Sequence, residues 1–385
     1  MKTLLRGGFV YDSSIRKFTK RDILIEQNGI ITDTDYHGDA VENTVDCTGK
    51  YIIPGLVDVH THGRGGYDFN TADTEGVLRM RRSYAQSGTT TVFATLASET
   101  VENLNKSFEA IKPNFVPGSG MANIAGIHLE GRYLNPKRRG AHPAHLLAPL
   151  DPAELKTFLE AMKPLPARVS AAVEMEGGEE FIKTALSEGA IVAIAHSDAK
   201  YDEAVRCVEL GVTGFTHTFN AMSPLHHREP GCIAASLLCD SAYSEFICDG
   251  EHIHPEMIRM ASKLKPAEKF VLITDSMEAA GCSDGEYSIA GQPVIVKNGK
   301  ALTLDGAIAG STLDLFTAMK NYMKFAHKTL EEAVPAATSN PADMMGAGQN
   351  CGRIEKGRYA DLLILTEYEN PEIESVWIGG EKIER

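Results

Sequence analysis

A repeating alternation constrains this chain more than any other feature. Short apolar runs recur as "LVDVH", "TTVFATL", "IAGIHLEG", "RVSAAVEM", "AIVAIAHSD", "GFTHTFN", "EFICDG" and "FVLITDS". Amphipathic stretches such as "TEGVLRMRRSYAQSG", "DPAELKTFLEAMK", "GEEFIKTALSEG" and "YDEAVRCVELG" separate most of them. Near-continuous apolar strands alternating with helices predict an α/β fold with a parallel sheet covered on both faces. Eight such units predict closure into a TIM-like (β/α)8 barrel. The competing arrangement is an open doubly wound sheet. It is disfavoured because no Gly-rich phosphate or dinucleotide turn follows the first strand of the repeat. After the eighth run, "DGEYSIAGQPVIVKNGKALTLDG" reads as an inserted set of β-hairpins.

The chain ends follow a different pattern. "TLLRGGFVYD", "RDILIEQNGIITD" and "GKYIIPG" are strand-like segments split by Gly-containing turns, the signature of a small antiparallel β unit. "GRIEKGRYADLLILTE" and "SVWIGGEKI" repeat that style at the C-terminus. The sequence therefore predicts a small β-sandwich built from residues 1–53 and 350–385, with the barrel inserted as residues 54–349.

Composition excludes several classes of function. A formal charge of −14 argues against non-specific nucleic-acid binding and against anionic membranes. An anionic substrate would need a local basic pocket working against that field. No apolar run approaches the roughly 20 residues of a spanning helix, and the start "MKTLLRGGFVYDSS" is too short in apolar residues for a signal-peptide core. Seven scattered cysteines without a CxxC pair suggest reduced thiols and a cytoplasmic location.

Catalytic residues of a barrel sit at the C-terminal ends of its strands. The ends of the eight runs carry His60 and His62, then Glu130, His196, His217 and Asp275. In "LVDVHTHG" the two histidines are one residue apart, so in an extended chain they point the same way. Strands two, four and seven end without an obvious equivalent, Glu174 and Asp249 being the possible exceptions. Imidazoles and carboxylates gathered from five strand ends predict a metal centre. They suit one or two divalent ions, with zinc, iron or manganese as candidates. A structural zinc site would use cysteine, so the expected centre is open and hydrolytic.

Two loops suit an anionic, hydroxyl-rich ligand. "FNAMSPLHHREPG" gathers Asn220, His226, His227 and Arg228, and "GEHIHPEM" offers His252 and His254. In "NPKRRGAH", Lys137, Arg138 and Arg139 read as a solvated face, leaving His142 as the pocket candidate.

Together, "PGLVDVHTHG", "GIHLEG", "RRGAHP", "AHSDA", "THTFNAMSPLHHREPG", "DGEHIHP", "LITDSMEAAG" and "IAGSTLDL" resemble the N-acetylglucosamine-6-phosphate deacetylases of the amidohydrolase superfamily. The resemblance implies hydrolysis of an acetamido group by a barrel joined to a small β-sandwich. It implies that Glu130, His196 and His217 hold the metal common to that family, and that His60 and His62 match members with a second ion. The metal would be zinc or iron first, with manganese or cobalt as further options. Asp275 would serve as the base that activates water and then as the acid that protonates the amine. His142 would orient the substrate and polarise its carbonyl. Asn220, Ala221, Arg228 and His252 match sugar-phosphate contacts; Ala141, His227 and Ile308 to Gly310, including Ala309, complete the pocket. Arg228 would reach a neighbouring subunit's site, implying a homodimer.

Four positions depart from the family pattern. Arg132 and Tyr133 follow Gly131 where the family reads "HLEGPF" or similar, Ala195 replaces a glycine, and Thr218 replaces an apolar residue. The Arg132–Tyr133 pair either reshapes the pocket near the acetyl group or exchanges one loop packing for another. The alternatives are N-acetylgalactosamine-6-phosphate as substrate, another amide hydrolase or deaminase of the superfamily, and a barrel retained as a non-catalytic scaffold.

Overall fold

The computed structural model describes residues 1–304 and 306–384. Eight strands form the expected parallel barrel sheet, pairing in sequence order: Leu56–Thr61, Thr89–Leu96, Asn123–Glu130, Ala167–Ala171, Ile191–Ile194, Gly214–Phe215, Tyr243–Ile247 and Phe270–Ile273. The first and eighth strands meet at the mouth, where Asp275 N–H donates to His60 O at 2.9 Å and His62 N–H to Ser276 O at 2.8 Å. The apolar runs became strands because both of their faces are covered: every residue of Thr89–Leu96 is buried.

Helices alternate with the strands, and several start on side chains that the sequence supplies. Asp73, Thr100, Asp151 and Asp314 each accept a backbone N–H in the first turn of the following helix. Each such cap stabilises its helix by about 1 kcal/mol. Among the described residues, no helix is long and apolar enough to cross a membrane.

Both chain ends share one eight-stranded sheet. Tyr51–Pro54, just before the barrel, pairs antiparallel with Leu362–Leu365, which follows it. The sheet is mixed rather than antiparallel, which corrects the expectation from the turns. Thr3–Asp12 runs parallel to both Asn43–Asp46 and Tyr51–Pro54. Residues 34–42 carry the chain across to the other edge of the first strand, a crossover that alternation and turn residues do not encode. One face of this sheet closes on its own core of Leu5, Val10, Ile23, Ile52, Leu362 and Trp377. Ile53, Leu363, Leu365 and Val376 face the other way and join the barrel core. The expected hairpin insert is present as Gly285–Ile289, Gln292–Lys297 and Lys300–Thr303, all antiparallel.

Below the mouth, the barrel interior is polar. Asp58, His128, Arg168, Ser170, Thr216 and Glu245 are fully buried. Arg168 and Glu245 form an ion pair from the fourth and seventh strands, and Arg168 also donates to Thr216 Oγ1 at 3.1 Å. A buried charge persists only when it is paired and hydrogen-bonded, so this layer is a built floor beneath the site.

Candidate active site

Three of the predicted residues sit in the same local geometry. His196, His217 and Asp275 each lie two residues past the end of their strand, and their φ angles are 46°, 33° and 49°. Left-handed backbone costs a non-glycine residue about 1–3 kcal/mol and persists only where the surroundings over-determine it. Here Ala195 N–H donates to Ala171 O and Thr216 N–H to Ile194 O, so each chain is still tied to the preceding barrel strand as it kinks.

The kinks bring the side chains together over the barrel mouth. His217 Nε2 lies 2.9 Å from Glu130 Oε1, His62 Nε2 3.0 Å from Glu130 Oε2, and His60 Nε2 3.2 Å from the same oxygen. His196 Nε2 is 3.1 Å from His217 Nε2. Asp275 Oδ1 is 3.4 Å from His60 Nε2 and 3.3 Å from His62 Nε2. All six predicted ligands therefore converge. Two trios, His60–His62–Asp275 and Glu130–His142–His196, each place their donor atoms within 4.8 Å of one another.

The outer hydrogen bonds of this cluster test whether it suits a metal. His60 Nδ1 faces Glu245 Oε2 at 3.3 Å, and His196 Nδ1 faces the carbonyl oxygen of Arg138 at 2.8 Å. Both partners only accept, so both rings carry their proton on Nδ1 and, when neutral, present a bare Nε2. Those bare nitrogens look at the Glu130 carboxylate, 3.2 and 3.5 Å away. Acceptor facing acceptor is repulsive unless positive charge lies between them. The donor set of neutral imidazoles and carboxylates fits a divalent cation there. The same demand shows in protonation. Burial opposes charge on His62, yet Asp275 and Glu130 outweigh it and lift its pKa to about 9. Burial likewise opposes ionisation of Asp275, and His60 and His62 draw its pKa down to about 2.

His142 stands at the edge of the cluster, its ring centroid 4.7 Å from that of His196. Ser98 N–H donates to its Nδ1 at 3.3 Å, and Ser98 Oγ lies 2.9 Å from the same nitrogen. Ser98 Oγ also accepts the N–H of Arg132 at 2.8 Å, leaving its own proton for His142. Nδ1 is therefore an acceptor, and Nε2 carries the ring proton. Burial, then the neighbouring His196, push the His142 pKa down to about 3, so the ring is a neutral donor.

The cluster opens into a cavity of about 180 Å³. Ala141, His142, Asn220, Ala221, His252, Ile308 and Gly310 line it together with every member of the ligand cluster except His60, which lies beneath it. Ala309, between two lining residues, instead packs into the hairpin core. His227 and Arg228 stand outside the cavity on an exposed loop, with Arg228 Nη1 2.8 Å from His227 Nε2. His226 shares that loop, and His254 caps the helix Pro255–Leu264. Lys137 and Arg138 pair with Asp198, as a solvated face would.

The unusual Arg132–Tyr133 pair points away from the cavity. Arg132 Nε donates to Glu154 Oε1 at 2.9 Å, and Tyr133 OH donates to the same oxygen at 2.8 Å. Tyr133 packs edge-on against Phe181. The pair is loop packing against the helix Pro152–Met162. Thr218, another departure, bonds Ser236 Oγ at 2.8 Å, and Ala195 is buried.

The three strands that seemed silent supply the supports. Ser98 follows the second strand and holds His142. Glu174 follows the fourth and accepts from Asn135 Nδ2, Ser197 Oγ and Asp198 N–H, stapling the loops around His196. Asp249 follows the seventh and holds His252 at 2.6 Å. The sequence reading missed Ser98, Arg168, His128 and Glu245. Arg168 and Glu245 were detectable in principle: a charge inside a doubly covered strand requires a buried partner.

A larger cavity of about 410 Å³ lies at the opposite end of the barrel, against the end sheet. Among the described residues its lining carries no histidine. Its carboxylate, Asp361, is already engaged by Gly379 N–H and Asn123 Nδ2. The chemistry therefore belongs to the smaller cavity.

Known proteins match this architecture. An N-acetylglucosamine-6-phosphate deacetylase from Vibrio furnissii is 32% identical over 364 residues, covering 93% of this chain and 89% of that protein. An N-acetylgalactosamine-6-phosphate deacetylase from Escherichia coli O157:H7 is 30% identical, covering 86% of this chain and 87% of that protein. The crystal structure of N-acetylglucosamine-6-phosphate deacetylase from Thermotoga maritima superposes with a TM-score of 0.88 at 30% identity, covering 99% of each chain. The amidohydrolase family model matches residues 51–383, from the last strand before the barrel through the closing strands of the end sheet. A closed parallel barrel with an imidazole–carboxylate cluster at its mouth, matched over nearly its whole length, places the chain in the amidohydrolase family.

Proposed function

We propose that this chain is a metal-dependent N-acetylglucosamine-6-phosphate deacetylase, releasing acetate and glucosamine-6-phosphate. The observation that carries the reading is the convergence of His60, His62, Glu130, His196, His217 and Asp275 beside a neutral, donor-bearing His142. The relatives that share this architecture are named for that reaction. Glu130, His196 and His217 would hold one divalent ion, zinc or iron first and manganese or cobalt next, and His60 and His62 would hold a second. Such an ion supplies Lewis acidity and lowers the pKa of water to about 7.

The chain's own residues do the rest. The cavity seats the acetamide between His142 and Asp275. His142 Nε2–H donates to the carbonyl oxygen and strengthens that bond as negative charge develops there. Asp275, held as a carboxylate, takes a proton from the attacking water. The carbonyl carbon gains the water oxygen, the C–N bond breaks, and Asp275 returns the proton to the departing nitrogen. An amine leaves poorly unless protonated, so one carboxyl group serves both steps.

Ala141, Asn220, Ala221, His252, Ile308 and Gly310 would contact the phosphosugar. Arg228 and His227, exposed beside the half-exposed Leu225, would reach the site of a second copy in a homodimer. Seven unbridged cysteines suit a reducing, cytoplasmic setting. The 6-phosphate of N-acetylgalactosamine is the second reading, supported by the matched relative named for it.

Acetate measured after incubation with each phosphorylated epimer tests both readings. Faster release from the gluco epimer supports the first, faster release from the galacto epimer supports the second, and release from neither removes both.

A further inference from the structure

The proposed substrate carries a phosphate, and apart from the Arg228 that a second copy would bring, the chain that forms the cavity offers it little positive charge. Among the described residues lining the cavity there is no lysine or arginine, while Glu130 and Asp275 both line it. Three of its histidines, His62, His196 and His217, belong to the ligand cluster, and His142 is held neutral. One lining imidazole remains, His252. Its Nδ1 lies 2.6 Å from Asp249 Oδ2, an acceptor, so Nδ1 donates and the opposite ring edge is left for the cavity. Both side chains are largely buried, at 8% and 14% exposure. Asp249 is itself fixed, because its Oδ1 accepts the N–H groups of Glu251 at 2.8 Å and His252 at 2.9 Å.

We propose that Asp249 is a positioning residue for substrate binding: it fixes the ring of His252, already read above as a sugar-phosphate contact, and holds it as an imidazolium with Nε2–H turned to the phosphate. This deepens the phosphosugar reading and rests on it. A charge-assisted hydrogen bond from a buried cation to a phosphate oxygen is about twice as strong as a neutral one. The imidazolium adds a cation from this copy to the Arg228 guanidinium that a second copy would bring, in a chain whose net charge is −14.

Within one copy, the charged groups facing His252 are few. Asp249 lies on its own loop, Asp275 follows the eighth strand, and Lys300 projects from the hairpin insert, tied to Glu251 at 2.7 Å. Burial works against charge on the ring, Lys300 adds to that, and Asp249 with Asp275 outweighs both, raising the pKa above the ordinary imidazole value.

The test is Asp249→Asn in the metal-loaded protein, assayed for KM and kcat across pH. Asparagine keeps an oxygen for the two backbone N–H groups and removes the charge. At about pH 8 the variant should show KM for the phosphosugar raised about tenfold, with kcat within about twofold of wild type. The deficit should shrink near pH 6, where His252 regains its proton without help. Titration of the phosphate itself, near pH 6, is common to both proteins and cancels in the ratio. The unphosphorylated sugar should show no change in KM. A fall in kcat at unchanged KM, or an equal loss for both sugars, would overturn the proposal.

A second measurement separates this idea from the reading beneath it. In a His252→Ala background, Asp249→Asn should add nothing to KM. An additive effect would make Asp249 merely structural and overturn the proposal. If His252→Ala alone leaves KM unchanged, the phosphate contact at His252 falls first.

Discussion

Ser98 holds His142 with two atoms of one residue: its backbone N–H lies 3.3 Å from Nδ1, and its hydroxyl 2.9 Å from the same nitrogen. That pair of contacts decides which nitrogen of His142 carries the proton, and so what the ring offers the substrate. Ser98→Ala keeps the backbone donor and removes the hydroxyl, loosening the ring and the Arg132 N–H that the hydroxyl accepts. The expected result is a loss of kcat of about tenfold with metal content unchanged. Elemental analysis beside steady-state kinetics checks both halves.

Arg168 and Glu245 predict an asymmetry in stability. Removing one partner leaves a fully buried charge unpaired, so Arg168→Met should destabilise the fold by about 3–5 kcal/mol. The double variant Arg168→Met with Glu245→Leu removes both charges and should recover part of that loss. Glu245 also faces His60 Nδ1, so the double variant should regain stability without regaining full metal binding. Denaturant unfolding with metal quantitation separates the two effects.

Arg132 supports a loop rather than a substrate. Its pairing with Glu154 is part-buried and directed away from the cavity. Arg132→Ala should lower the melting temperature by a few degrees, since the pair stabilises by about 1 kcal/mol. KM for the substrate should stay within about twofold of wild type. A large change in KM would return Arg132 to the pocket.

Asp361 predicts a pH dependence of stability far from the metal cluster. Burial raises its pKa from 3.8 to about 6, and the bonds from Gly379 N–H and Asn123 only partly offset that. A carboxyl group raised on folding binds more protons folded than unfolded between those two values. Its contribution is complete below about pH 4 and lost as pH rises through about 6. Asp361→Asn should flatten this dependence, shrinking the change in stability between about pH 5 and pH 8 by roughly 1–2 kcal/mol, while its amide nitrogen, set against Asn123 Nδ2 where the carboxylate accepted a hydrogen bond, lowers stability at every pH. Thermal melts at about pH 5 and pH 8 read the difference.

Much of this molecule was legible in its sequence because strands covered on both faces must be apolar, and their polar ends then stand out. His60, His62, Glu130, His196, His217 and Asp275 were visible for that reason, and the geometry joins them. What stayed hidden depends on three-dimensional pairing. Nothing in "RVSAAVEM" or "SEFICDG" says that Arg168 and Glu245 meet inside the barrel. The left-handed turn at His217 ends its strand at Phe215, two residues earlier than the apolar run suggests. Ser98 acts partly through its backbone, which carries no residue signature. The parallel pairing of Thr3–Asp12 in the end sheet depends on a crossover through residues that read as ordinary loop.

The most direct test is to strip the protein of metal and titrate a divalent ion back while measuring acetate released from N-acetylglucosamine-6-phosphate, with Asp275→Asn run in parallel. Release should be absent in the stripped protein and should rise with bound metal. Asp275→Asn should bind metal comparably and lose most of the rate, because it keeps an oxygen ligand without a group able to take the proton from water. Undiminished release from metal-free protein, or near-native turnover by Asp275→Asn, would contradict the account.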